Sequence, residues 1–205
     1  MTAQDKILYV ASKLGLTSLQ NMQASTGAVY DVDTERSGQI FSSATRHVNP
    51  RITNINDNQF EVNEALLIET VGFYGVATSS SGFAVQNLQQ IYGSQFVIVY
   101  DVIIGNKRVQ KNTPVFGSGS PYTFATNGLF VNDGGGEAPN PLQFTPRHQV
   151  YSEAVGILIP PQVQFYVEYR LFNVVTGAQI PISDNADIAC YLYGTKVLLN
   201  FNTSI

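Results

Sequence analysis

The sequence predicts an all-β chain, a two-sheet antiparallel sandwich with an N-terminal helical and extended arm. Three observations predict it. Apolar segments from Phe60 onward are short, rich in β-branched and aromatic residues, and bounded by Gly, Pro, Asn and Ser. No run of alternating helices separates them, which disfavours a parallel sheet. At 205 residues the chain is long enough for one sizeable core, and sandwiches of this length commonly form one domain. The division expected is an arm over 1–59 and a β-sandwich body over 60–205.

The arm begins with Ile7, Leu8, Val10, Ala11 and Leu14 at helical spacing, Asp5 and Lys6 in the first turn, and Gly15 as a stop. A helix of about ten residues is marginal alone in water, so its apolar stripe must dock. The chain's own body, a neighbouring subunit and a membrane surface are all open as its partner. A weaker helix is expected through Leu16, Leu19 and Met22 to Gly27, and then a polar extended stretch from Ala28 to about Gln59.

In the body, Ala65 to Tyr74 reads as the first strand. Phe96 to Ile104 is apolar on both faces apart from Asp101, which implies cover on both sides. Asp101 would be costly there unless paired, and Arg170 or Lys196 could serve. Gly105-Asn106 marks a turn whose following Lys107, Arg108 and Lys111 read as solvated charges. Ala84 to Ile91 reads as a short helix. Val163 to Phe172 alternates as the clearest half-buried strand, and Ile188 to Leu192 and Val197 to Phe201 close the chain as two more. Weaker strands are expected near 114–116, 128–131 and 150–158. Asp133, Gly134, Gly135, Gly136 and Glu137 belong to a long exposed loop. Seven or eight strands with long crossing connections lead from a sandwich to a jelly roll.

Charged residues are only 13% of the chain, against roughly 25% in an ordinary domain. Asn, Gln, Ser and Thr replace them, and neutral polar groups cost less to bury against a neighbour than ions do. The net charge of -4 with eleven scattered basic residues disfavours specific nucleic-acid binding; Arg46, His47 and Arg51 form an acid-free stretch that could face nucleic acid from the arm. The single cysteine, Cys190, excludes an internal disulfide and reads as a buried strand thiol. No zinc, phosphate-loop or nucleophile signature occurs, so no catalytic, cofactor or metal residues are assigned and an enzyme is not expected. Asp31, Asp33 and Glu35 could approach a hard cation, but a solvated acidic segment is the plainer reading. The N-terminus lacks a secretory leader, which leads to the expectation of synthesis in a host cytoplasm.

Ile157-Leu158-Ile159-Pro160-Pro161, the strand Val163 to Leu171, then Ile188 to Tyr193 and Val197 to Phe201 resemble in layout the viral jelly-roll coat proteins. Asn63 to Glu69 is similar to capsid-type proteins of tailless icosahedral bacteriophages. The resemblance covers 60–201 and implies a structural virion protein that forms or decorates an icosahedral capsid, with copies of itself and other virion proteins as partners. Removing residues 1–27 should then abolish assembly and leave the body folded. The alternative is a carbohydrate- or receptor-binding sandwich, such as a phage spike or adhesin domain, using its long loops.

Overall fold

Alternation of apolar residues with period two forces one face of each strand inward, and two such faces must meet. The computed structural model of the chain describes residues 2–16, 21–42, 53–55, 57–77, 84–86, 96–115, 156–173, 175–181 and 187–199. Among the described residues one helix, α1 (Ala3–Lys13), precedes ten strands. They are β1 (Gln23–Asp33), β2 (Gln39–Ile40), β3 (Glu64–Ala77), β4 (Ala84–Gln86), β5 (Phe96–Ile104), β6 (Lys107–Val115), β7 (Ile157–Ile159), β8 (Phe165–Asn173), β9 (Gln179–Ile180) and β10 (Asp187–Leu198).

The strands form two antiparallel sheets. In the first the order is β1-β10-β3-β4, with β7 also on β3; in the second it is β2-β8-β5-β6, with β9 also on β8. The pairing is nested: β1 pairs with β10, β2 with β8, β3 with β7 and β5 with β6. The inner faces meet through Leu66, Ile68, Val71, Phe73, Ile188, Cys190 and Leu192 on one side and Ile98, Tyr100, Val102, Phe165, Val167, Tyr169 and Leu171 on the other. Aromatic rings bridge the layers, with Phe73 at 5.3 Å from Tyr100 and 6.1 Å from Tyr169 between centroids.

Several expectations are corrected. Gln23–Asp33, expected to be a weak helix running into a polar arm, is a strand along the whole length of β10. Its polar residues misled the reading because an edge strand has one ladder partner and one wet side. Ala84–Gln86 is a strand paired to the end of β3 rather than the start of a helix. The two closing strands are one, β10, which runs through Gly194 without interruption. The bend sits instead in β3, where the register jumps opposite Tyr193 and Gly194 and leaves Glu69 without a cross-strand partner in β10.

Helix α1 is fixed at its start by a capping box between Thr2 and Asp5. It lies on the outer face of the first sheet, where Val10 joins Ala65, Leu67, Val197 and Leu199 in a second apolar cluster, flanked by Tyr9 and Leu14. Lys6 is ion-paired to Glu69 and donates to Thr195 at 3.1 Å. Of the three partners left open for the stripe, the chain's own sheet is the one it meets. No helix of the described residues is long and apolar enough to cross a membrane.

Candidate functional site: an ion-paired cleft on the second sheet

Residues flanking Asp101 on β5 and Glu168 on β8 point inward, since Tyr100, Val102, Val167 and Tyr169 all belong to the core. Asp101 and Glu168 are direct register partners, so both carboxylates stand on the outer face of the second sheet. There Asp101 is nevertheless 1% exposed. A buried carboxylate needs compensating partners, and three groups supply them.

The first is the backbone of β6. The ladder between β5 and β6 slips between Tyr100 and Val102, and Asn112, at φ 48° in the left-handed region that Asn tolerates, turns its N–H onto one oxygen of Asp101. The other oxygen receives Arg108 Nη1 at 3.2 Å and Arg170 Nη2 at 3.3 Å. Arg108 also reaches Glu168 through Nη2 at 2.9 Å, and Arg170 Nη2 donates to the Asn112 side-chain oxygen at 2.9 Å. Gln39 of β2 donates to the free oxygen of Glu168 at 3.4 Å. Four strands are thereby tied across their outer face by one network.

This network floors an open cleft of about 670 Å³, lined also by Arg36 to Gln39 and by Gln179 to Pro181 along the β8 edge. Arg36 is itself engaged by the buried Asp187, Nε to Oδ1 at 3.2 Å. One guanidinium thus holds both Asp101 and Glu168, and both carboxylates accept hydrogen bonds across the cleft floor. The cleft can therefore orient a polar ligand.

A second set of buried carboxylates shapes one wall. Asp33 accepts from Ser37 N at 3.0 Å, Gly38 N at 2.7 Å and Tyr169 Oη at 2.9 Å, which closes the turn from β1 to β2. Asp31 accepts from Phe41 N at 2.7 Å. The acidic segment read as solvated is thus two buried anchors, Asp31 and Asp33, with Glu35 alone exposed. Among the described residues no group of three or more His, Cys, Asp or Glu is placed to hold a metal ion.

Of the residues singled out in the sequence, Val10 and Ala11 are buried under α1, Ile7 and Leu14 are half-buried, and Leu8 is 45% exposed. Val10 and Leu14 join the apolar cluster on the chain's own sheet. Asp133 to Glu137, and Arg46, His47 and Arg51, lie outside the described residues. Asp101 finds Arg170, one of the two partners foreseen, while Lys196 pairs instead with Glu64 at 2.8 Å. Arg108, read as a solvated turn charge, is the cation at the centre of the network. The sequence did carry a signal for it, since Glu168 and Arg170 occupy successive outward positions of β8 and demand opposite charges nearby.

Cys190 lies in the core beside Asp31, and burial first, then that carboxylate, pushes its thiol well above the ordinary range. Tyr191 and Tyr193 stack on the outer face of the first sheet, 6.2 Å between ring centroids, and burial followed by the neighbouring Tyr193 raises the Tyr191 hydroxyl. In comparisons with known proteins, no protein-family model, no curated protein and no solved structure matches this chain.

Proposed function

We propose that this chain is a non-catalytic structural subunit with jelly-roll topology that packs beside copies of itself and sister proteins in a viral capsid. The nested antiparallel pairing is the observation that carries the reading. Among the described strands, leaving aside the short β4 and β9, the first pairs with the last, the second with the next to last, the third with β7, and β5 with β6 at the centre. One long hairpin wrapped around two layers has this order, and it is the order a jelly roll requires. The fold alone does not name a function, so the surface supplies the second support. Few charges are spread over the chain, and Val62, Val109 and Val175 are 65, 42 and 72% exposed, which lowers the desolvation cost of contact with a neighbour.

Electron microscopy and sedimentation of the purified chain test the reading. Closed particles or rings of fixed symmetry are expected. A monomer at every concentration, alone and with the proteins encoded beside it, would refute it.

A further inference from the structure

We propose that the cleft on the outer face of the second sheet is a binding site for a neutral saccharide. This stands on the cleft alone and does not depend on the assembly reading. Charges in the floor cancel: Asp101 and Glu168 face Arg108 and Arg170, and Arg36 is matched by Asp187. An anion would find no surplus positive charge, and a cation no surplus carboxylate. A neutral ligand bearing neighbouring hydroxyls finds both donors and acceptors at fixed spacing.

Unspent capacity remains in each group. Among the described residues Arg170 uses only Nη2, on Asp101 and Asn112, so its Nε and Nη1 are available; a guanidinium carries five N–H donors. Glu168 accepts one bond at each oxygen, and an ionised carboxylate accepts about four. A vicinal diol can therefore receive from Arg170 and donate to Glu168 at once. Pro181 on the wall offers an apolar flank for the C–H face of a pyranose ring, whereas the Ile180 side chain packs against the core. The ion pairs hold these side chains in place before any ligand arrives, which limits the entropy lost on binding.

The test is an NMR titration of the full isotope-labelled chain with maltotriose, cellobiose and N,N′-diacetylchitobiose, with inorganic sulfate as the anion control. At least one saccharide should shift the side-chain signals of Arg170, Gln39 and Gln179. Glu168→Gln and Gln179→Ala should each weaken that saccharide about tenfold, the loss of one such hydrogen bond, and the unbound spectrum of Gln179→Ala, which breaks no ion pair, serves as the check of fold. The proposal is overturned if no saccharide of the panel shifts these signals, if both variants bind as well as the parent, or if sulfate shifts the same signals and displaces the sugar.

Discussion

Gly194 lies against Leu67 so closely that a β-carbon built on it would sit 1.8 Å from the Leu67 carbonyl oxygen. This approach is what admits the extra residue Glu69 into β3 and lets its side chain reach Lys6 of the helix. One glycine thus connects the sheet's bend to the docking of α1.

Gly194→Ala should accordingly be among the most damaging small substitutions, because the obstacle is backbone that cannot rotate away. A loss of more than about 2 kcal/mol is expected in urea denaturation. Gly177, at φ +69° with nothing within 4 Å, is the control: Gly177→Ala carries only the left-handed backbone cost of about 1 kcal/mol. Equal effects from the two would contradict the account of the bulge.

Replacing Asp101 separates its two tasks. Asp101→Asn keeps an acceptor for the Asn112 N–H, whereas Asp101→Ala leaves that amide unsatisfied at a cost of about 1–3 kcal/mol. Arg108 and Arg170 are 45 and 39% exposed, so losing their partner costs little once they turn to water. The alanine variant should unfold at clearly lower urea than the asparagine one; equal midpoints would mean that the charge, which both variants remove, and not the bond to the Asn112 amide is what Asp101 sustains.

Truncation locates the boundary between helix and sandwich. A chain starting at Thr17 loses α1 and uncovers Ala65, Leu67 and Val197, so it should bind a hydrophobic dye while keeping the circular dichroism of a β protein. A chain starting at Ala28 also loses Gln23 to Gly27 of β1, half of the ladder along β10, and should be substantially less stable. Deleting residues 1–27 is therefore not the clean removal of an arm that the sequence suggested. If both truncations melt alike, β1 contributes less than its register implies.

Cys190 is fully buried with its thiol pushed upward. A thiol reagent should label it only as fast as the protein opens, and urea should bring the rate to that of a free thiol. The folded pKa is raised, so the protonated thiol's contribution is complete below the ordinary thiol value and is lost as pH climbs above it. Stability should fall on the alkaline side for this group, and Cys190→Ala should flatten that limb.

The helix start responds in the opposite direction. Hydrogen bonds from the Thr2 backbone, then its side chain, hold the Asp5 carboxyl below its usual range. A depressed carboxyl gives support that is present above the ordinary carboxylate value and disappears as pH falls through the lowered one. Amide exchange in the first turn of α1 should quicken in that acid window, and Asp5→Asn should remove the dependence.

How far the sequence reached depended on which faces were apolar. β8 was legible because Phe165, Val167, Tyr169 and Leu171 alternate with residues that stay half-exposed, and α1 because its stripe keeps helical spacing. β1 was not, since the residues that pair it to β10 include Gln23, Ser25 and Thr26 on the wet side of a sheet edge, where hydrogen bonds rather than side chains hold the strand. The two-residue strands β2 and β9 are too short to show any period. Composition and periodicity therefore determined an all-β chain with two apolar layers and one amphipathic helix. Only the tertiary structure decided which strands pair, that the helix covers the chain's own sheet, and that Asp101, Arg108, Glu168 and Arg170 meet. The reason is physical: burial patterns are written locally, at spacings of two or 3.6 residues, whereas the Arg108–Glu168 and Asp101–Arg170 pairs link positions sixty or more residues apart, and nothing local encodes which distant partner closes them.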